Sequence, residues 1–124
     1  MTGTTALVAA LCFGSKRAKI VVGNVGDSRA ILCRSNLTTN EAFVVELSED
    51  HKLTRKEEMD RIKTCNGVVL ESPTGQLKMA PGNLDHPESC PTNARLSLNM
   101  SRALGHPTLS KFGVESLFLP AKIV

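Results

Sequence analysis

The sequence predicts an α+β domain in which antiparallel strands come before a short helix. Three observations indicate this class. Four short apolar runs occur within the first forty-seven residues, brief polar or glycine-containing segments separate them, and a charged segment with a helical pattern follows. Short loops join antiparallel neighbours, whereas parallel strands need long crossover connections. The 124 residues are enough for one domain, or for part of one.

The first half of the chain is predicted to form four strands. Thr4–Phe13 suits a strand or a short buried helix, and the threonines at its start together with the turn-like Gly-Ser-Lys after it favour a strand. Ile20–Val25 and Ala30–Cys33 flank a Gly-Asp-Ser break that suits an antiparallel hairpin. After a polar loop, Ala42–Leu47 completes the set. We expect the four strands to form one antiparallel meander.

Asp27 lies at the tip of the predicted hairpin. It is the only acidic side chain between Ile20 and Arg34. An acid at the end of a rigid hairpin is well placed to meet a cation or a substrate. An aspartate at this position also serves an ordinary turn, by hydrogen-bonding nearby backbone. The local pattern leaves both interpretations open.

One helix is predicted to follow the strands. Thr54–Glu57 match a capping box, and Asn66 with Gly67 supply the left-handed residue that often ends a helix. Met59 and Ile62 give the helix a narrow apolar stripe. Its acidic residues have basic neighbours, so they are expected to form a solvated face rather than a site: Glu57, Glu58 and Asp60.

The remainder of the chain is less regular. Val68–Leu70 is predicted to be a short strand, and Ser72–Asn93 carries four prolines, so it is predicted to be a long loop of functional or disordered type. Arg95–Gly105 alternates at first and suggests a strand that runs into a turn. Val114–Leu119 is the last expected strand, ending before a proline.

Composition excludes several functions. With four Phe and no Trp or Tyr, the core must be aliphatic. The net charge of +3 is dispersed, and clustered cations with stacking aromatics are missing, which disfavours nucleic-acid binding. No apolar run reaches the roughly twenty residues that span a bilayer. The N-terminus lacks the basic segment of a signal peptide, so no leader is expected.

The cysteines indicate a reducing compartment. Cys12, Cys33, Cys65 and Cys90 form no Cys-x-x-Cys pair, and Cys12 and Cys33 are expected to be buried thiols in strands. His86 and Cys90 have a tolerable ligand spacing, but two ligands do not make a zinc site. We therefore expect an intracellular protein of the cytoplasm or nucleus.

A series of short motifs in a fixed order gives a stronger indication than any single element. Gly-Asp-Ser-Arg, Asp-His-Lys and Ser-Arg-Ala-Leu-Gly are the most distinctive. The full series is Thr2–Ala6, Asn24–Ala30, Leu47–Lys52, Glu58–Ile62, Asn66–Val69, Leu98–Gly105 and Phe112–Val114. In this order and spacing the chain strongly resembles the metal-dependent protein serine/threonine phosphatases of the PP2C (PPM) family.

The resemblance implies a fold and a chemistry. It implies an α/β sandwich of two antiparallel sheets with outer helices, of which residues 1–124 are one partial domain, incomplete at both ends. The loop of about residues 72–93 corresponds to the family's flap beside the active site. The family hydrolyses phosphoproteins with Mg²⁺ or Mn²⁺ ions held by carboxylates. By the same resemblance, Asp27 matches an aspartate that helps to hold a peripheral metal.

Departures from the family limit this expectation. The upstream Asp-Gly-His-Gly type of segment, the downstream Asp-Gly and Asp-Asn segments, and the phosphate-binding arginine have no match in this chain. The remaining aspartates belong to other patterns, and His106 stands where the family usually has aspartate. Whether the chain is an enzyme is therefore open. One expectation is a phosphatase fragment inactive by itself, and the alternative is a pseudophosphatase remnant acting as an interaction module.

Overall fold

A computed structural model describes residues 2–82, 97–117 and 119–123. Within these residues the chain forms nine strands and two short helices. The strands are β1 (Gly3–Thr4), β2 (Ala6–Phe13), β3 (Ala18–Val25), β4 (Ile31–Ser35), β5 (Ala42–Glu46), β6 (Gly67–Glu71), β7 (Leu77–Pro81), β8 (Leu104–Gly105) and β9 (Leu119–Ile123). The helices are α1 (Lys56–Thr64) and α2 (Pro107–Ser110). Neither has the length and apolar composition needed to cross a membrane.

The strands pair as antiparallel neighbours, but not as one meander. In the described residues β2, β3 and β9 form one sheet, and β4–β5, β6–β7 and β1–β8 form separate pairs. The predicted pairing of β3 with β4 is wrong, because β2 and β9 occupy the two edges of β3 and leave none for β4. Asp27 consequently lies in the link between two sheets, not at a hairpin tip.

Two predictions in the second half are corrected. A turn at Ser72–Gln76 joins β6 to β7, so the predicted long loop contains a strand. Residues 83–93 of that loop lie outside the described residues. The last strand is β9, which continues through Pro120 rather than ending before it. Proline is tolerated there because β9 is an edge strand of its sheet.

The segment 97–105 is less regular than the strand that its alternation predicts. The backbones of Leu98 and Met79 exchange two hydrogen bonds of 2.7 and 3.0 Å, and Met100 forms a bridge with Lys52. Only β8 is a strand in this stretch, and it pairs with β1, placing Gly105 opposite Gly3.

The helix α1 is confirmed, but its predicted cap is wrong. Arg55 is the N-cap, in an extended conformation (φ −80°, ψ 129°), and no side chain caps the first turn. Thr54 lies one residue too early, in the turn closed by the Arg55 N–H donating to the Lys52 carbonyl at 3.1 Å. At the other end Asn66 adopts the predicted left-handed conformation, with φ of 58°.

The principal core packs around α1, β7 and α2. Its buried members are aliphatic, as the composition predicts: Leu53, Ile62, Met79, Ala103, Leu109 and Val114. The strands β2 and β4 lie apart from this core, and Leu11 and Ile31 on them are 58% and 60% exposed. For the same reason Cys12 and Cys33 are exposed, and the expectation that both thiols are buried is wrong.

Candidate functional site

Contacts at Gly26 hold the backbone immediately before Asp27 in place. The Gly26 N–H donates to Nδ1 of His51 at 3.1 Å, and the His51 N–H donates to the Gly26 carbonyl at 3.0 Å. Gly26 has φ of +105°, and a Cβ there would lie 2.7 Å from Cβ of Thr5. Only glycine fits this combination of left-handed backbone and close approach.

Asp27 presents a half-buried carboxylate just beyond this fixed point. Among the described residues, no hydrogen bond or ion pair engages its side chain, including the backbone contact that a simple Asx-turn would show. Its neighbour Ser28 is held by a 2.8 Å hydrogen bond to the Thr5 hydroxyl. The position of Asp27 is thus fixed while its carboxylate keeps its capacity to accept.

His51 connects Gly26 to a third segment. The N–H of Ser101 donates to the His51 carbonyl at 2.9 Å, and the Ser101 hydroxyl oxygen lies 3.1 Å from the same carbonyl. His51 is 2% exposed, and this burial lowers the pKa of its imidazole. Because Nδ1 accepts the Gly26 N–H, the neutral ring must carry its proton on Nε2. A neutral, buried histidine therefore joins Gly-Asp-Ser-Arg, Asp-His-Lys and Ser-Arg-Ala-Leu-Gly.

A second contact between the first two motifs runs through Asp50. Arg29 donates to both carboxylate oxygens, with Nε at 3.0 Å and Nη2 at 2.9 Å. The Nζ atom of Lys52 lies 3.2 Å from the same carboxylate. The hydrogen bonds from Arg29, followed by those from Lys52, hold the pKa of Asp50 below its usual range. The Asp50 carboxylate is therefore already paired with two cations.

The prediction that Glu58 lies on a solvated face of the helix is wrong. Glu58 is 2% exposed, and its carboxylate accepts from Ser101 and from the guanidinium groups of Arg61 (2.7 Å) and Arg102 (2.9 Å). Burial raises its pKa, but these donors outweigh burial and lower the pKa to about 2. Glu57 and Asp60 are exposed as predicted. The missed signal is spacing, since Glu58 lies four residues before the buried Ile62 on one helix face.

The two arginines extend this contact to the next segment. Arg102 Nη1 lies 2.7 Å from Glu115, and Arg61 Nη2 donates to the Ser101 carbonyl at 2.9 Å. Arg61 Nε also donates to the Gly113 carbonyl at 2.9 Å. The Ser-Arg-Ala-Leu-Gly segment is therefore clamped onto α1 by charge-assisted hydrogen bonds.

His106 follows this clamped segment in a left-handed conformation, with φ of 52°. Its ring lies over Gly3, where an added Cβ would collide with it. Its N–H donates to the Thr2 carbonyl at 3.2 Å, and its buried Nδ1 has no hydrogen-bond partner in the described structure. An imidazole thus occupies the position where the resemblance implies a carboxylate.

Asn24 is a further residue that sequence reasoning missed. It is 1% exposed, and its Nδ2 donates to the carbonyls of Glu49 (3.0 Å) and Gly26 (3.3 Å). A lone amide within an apolar strand is the signal that would have found it. Asn24 adds another link between the strand that ends beside Asp27 and the segment that carries Asp50.

The described residues do not compose a complete divalent-metal site. No group of three or more His, Cys, Asp and Glu side chains converges within residues 2–82, 97–117 and 119–123. Asp50 is paired with cations and Asp60 with Lys56, so neither joins Asp27. Asp85, His86 and Cys90 lie outside the described residues. The donor set present in the described structure does not fit the metal centre implied by the resemblance.

Known proteins are similar to this chain over most or part of its length. The family model for Protein phosphatase 2C matches residues 1–118. Protein phosphatase 1K, mitochondrial, from Xenopus laevis is 38% identical over 112 residues, which are 90% of this chain and 24% of that protein. Probable protein phosphatase 2C 68 from Oryza sativa subsp. japonica is 41% identical over 68 residues, covering 55% of this chain and 16% of that protein.

A solved structure shares the fold. The crystal structure of serine-threonine phosphatase 2C from Toxoplasma gondii has a TM-score of 0.74 and 24% identity, and the match covers 97% of this chain and 36% of that one. The family fold implied by the resemblance is confirmed. The chain spans only 13% to 24% of the length of the curated relatives it matches.

Proposed function

This chain belongs to the protein phosphatase 2C family, and we propose that its 124 residues form part of a PPM-type phosphatase domain. The complete domain hydrolyses phosphoserine and phosphothreonine on protein substrates, in a reaction where Mg²⁺ or Mn²⁺ supplies an activated water. Because the chain spans at most about a quarter of its curated relatives, it contributes one portion of that domain and is inactive alone.

The meeting of three motifs at His51 is the observation that carries this proposal. Gly26 contacts its imidazole, and Ser101 contacts its carbonyl, across 25 and 50 residues of chain. Each motif is too short to be specific by itself. Their convergence around one buried residue holds the backbone next to Asp27 and leaves its carboxylate unengaged among the described residues, which supports a scaffold that presents that carboxylate.

We assign Asp27 the role of a peripheral metal ligand in the complete domain. A hard cation such as Mg²⁺ or Mn²⁺ takes oxygen ligands, and a free carboxylate at a fixed position supplies one. The other ligands are not among the described residues, so Asp27 by itself does not define a site. What this chain contributes is the placement of the carboxylate by Gly26 and His51.

An interaction module without catalysis is the second candidate. His106 replaces a carboxylate with an imidazole, and the described residues hold no three-ligand cluster. Both observations favour a pseudophosphatase that keeps the family scaffold as a binding surface. Phosphoproteins remain the proposed partners in either case.

Hydrolysis assays separate the two candidates. The 124-residue chain, and a longer protein in which its matched 112 residues replace those of Protein phosphatase 1K, mitochondrial, are incubated with a phosphothreonine peptide and Mn²⁺. We expect background rates from the chain alone and chelator-sensitive turnover from the longer protein. Turnover by the chain alone would contradict the proposal, and a folded but inactive longer protein would favour the interaction module.

We also propose an intracellular location, in the cytoplasm or nucleus. The support is chemical: Cys12 and Cys33 are free, exposed thiols, which persist in reducing compartments. Fractionation of cells that express a tagged copy, followed by immunoblotting, tests this assignment.

A further inference from the structure

The hairpin of β2 and β3 projects past the third strand of its sheet. Among the described residues, β9 pairs with β3 only from Val21 onwards, so residues 18–20 and the facing residues 11–13 form a two-stranded extension of roughly 10 Å. The Gly14 N–H donates to the Arg17 carbonyl at 2.9 Å and closes the turn at its end. This turn lies at the opposite end of the eight-residue β3 from Gly26, roughly 25 Å away.

One face of this projecting tip is apolar and open. Leu11 lies opposite Ile20 and Phe13 lies opposite Ala18, so these four side chains share one face of the hairpin. Phe13 is 81% exposed and Leu11 is 58% exposed. Because burial of a phenylalanine side chain is favourable, a partner that removes Phe13 from water gains free energy at this face.

Three cations accompany the exposed ring. Lys16 and Arg17 lie in the turn and Lys19 lies in β3, and all three residues are exposed. None of them takes part in an ion pair within the part of the chain that the structure describes. They are the only charged side chains in residues 1–26. The tip therefore carries three uncompensated positive charges and is complementary to an anionic surface.

A lipid bilayer fits this combination better than a folded acidic protein does. The tip is convex and two strands wide, so a folded partner would need a matching groove, whereas lipids rearrange around an inserted ring. Amphipathic surfaces bind membranes through the apolar area that they bury together with the attraction of Lys and Arg to anionic lipids. The anionic headgroups of a cytoplasmic leaflet supply that attraction.

We propose that the tip of the β2–β3 hairpin binds anionic lipid bilayers peripherally, at leaflets that contain phosphatidylserine. Phe13 inserts at the level of the headgroups, and Lys16, Arg17 and Lys19 contact the lipid phosphates and carboxylates. An apolar signal and a cationic signal are each weak, and together they give reversible binding. Binding at this end of β3 leaves the end beside Asp27 directed away from the bilayer. The proposal does not depend on the phosphatase function.

Tryptophan fluorescence tests the insertion directly, because the chain contains no Trp or Tyr. The variant Phe13→Trp of the full 124-residue chain is titrated with vesicles of phosphatidylcholine alone, or of phosphatidylcholine and phosphatidylserine in equal parts. We expect a blue shift, and quenching by brominated acyl chains, with the anionic vesicles only. Leu37→Trp is the matched control and should show neither effect, because Leu37 is 96% exposed in the β4–β5 turn, where Arg34 and Glu41 balance in charge.

Cosedimentation with the anionic vesicles measures the contribution of each side chain. Lys16→Gln, Arg17→Gln and Lys19→Gln should each weaken binding about fivefold, the usual effect of one cation near an anionic membrane surface. Phe13→Ser should weaken it about tenfold, because the apolar burial is lost. Lys63→Gln removes an equal charge from an exposed position at the end of α1, and it should leave the affinity unchanged.

Four results would overturn the proposal. They are an unshifted Phe13→Trp spectrum with anionic vesicles, an equal shift in Leu37→Trp, equal weakening by Lys63→Gln, and equal binding to vesicles of phosphatidylcholine alone. Binding of soluble polyglutamate at the affinity seen with vesicles would also overturn it, because the tip would then serve an acidic protein. Circular dichroism confirms that every variant is folded, and a failed hydrolysis assay leaves these binding results unaffected.

Discussion

Nδ1 of His51 accepts the backbone N–H of Gly26 at 3.1 Å, and the N–H of His51 returns a hydrogen bond to the Gly26 carbonyl at 3.0 Å. This reciprocal pair closes the link between the end of β3 and the segment after β5. The acceptor role of Nδ1 requires a neutral imidazole at this nitrogen. The backbone immediately before Asp27 is therefore held by His51 from another segment of the chain, and this contact requires an unprotonated Nδ1.

The first prediction concerns acid sensitivity near neutral pH. Burial holds the His51 pKa below its usual 6.5, so between the two values the unfolded chain binds a proton that the folded chain does not. The free energy of unfolding should be constant above this window and should fall as the pH decreases below 6.5. Urea unfolding at several pH values between 8.0 and 5.5 measures this change in the free energy of unfolding.

The variant His51→Gln provides the control for that experiment. It removes the titrating group, so the slope due to His51 should disappear even if the variant is less stable throughout. An unchanged slope in His51→Gln would assign the pH dependence to other groups.

The second prediction is that Glu58→Gln strongly destabilises the fold. The substitution removes the buried countercharge of Arg61 and Arg102 and leaves them only the more exposed Glu115, which costs about 3 kcal/mol. Glu57→Gln is a matched control on an exposed neighbour and should change stability by less than about 0.5 kcal/mol. Chemical denaturation measures the free energy of unfolding of both variants. Equal losses in the two variants would refute the structural role of the buried Glu58 carboxylate.

A third prediction follows from the pKa of Glu58. Because its folded pKa is about 2 and its usual value is 4.5, its contribution to stability is complete above pH 4.5 and is lost as the pH falls towards 2. The difference corresponds to about 3 kcal/mol. The wild-type chain should lose more stability in this window than Glu58→Gln does, as measured by urea unfolding at matched pH values.

The fourth prediction separates backbone strain from steric collision at glycine. Gly26 and Gly75 both have positive φ, but a Cβ at Gly75 has space, with its nearest atom at 3.7 Å. Gly75→Ala should cost about 1 kcal/mol, and Gly26→Ala should cost about 2 kcal/mol more because it also displaces Thr5. Thermal unfolding of the two variants gives the comparison, and similar losses would show that the Thr5 contact is unimportant.

The fifth prediction concerns Asp27. No described residue hydrogen-bonds its carboxylate, so Asp27→Asn should change the free energy of unfolding by less than about 0.5 kcal/mol. In the longer protein the same substitution should raise the Mn²⁺ concentration needed for half-maximal hydrolysis. A large loss of stability would instead indicate that Asp27 serves the local fold, as a turn residue does.

Much of the secondary structure was predictable because it is encoded locally. The apolar runs identify β2, β3, β4 and β5, and Asn66 supplies the left-handed end of α1. The order of the motifs identified the family, which the match over residues 1–118 confirms. The local pattern fails where strand pairing decides the conformation: the prolines near β7 predict a loop, whereas pairing with β6 makes this segment a strand.

The candidate site shows the same division. The local pattern around Asp27, a lone acid after an apolar strand, leaves a turn residue and a ligand both open, and its role as a metal ligand, implied by the family resemblance, stays a prediction. The charged neighbours of Glu58 on α1 predict a solvated surface position for it, and this prediction is wrong. Its burial depends on Ser101 and Arg102, more than forty positions away, which no local pattern reports.

Local sequence patterns account for the strands β2 to β5, for the position of α1 and for the strand before Asp27, and the order of the motifs accounts for the family. Tertiary contacts set the pairing of β3 with β2 and β9, the burial of the Glu58 carboxylate and the link between three motifs at His51. Strand formation and turns depend on neighbouring residues, whereas a strand edge is filled and a charge is buried only when distant segments meet. The backbone conformation before Asp27 is of this second kind, because His51 holds Gly26.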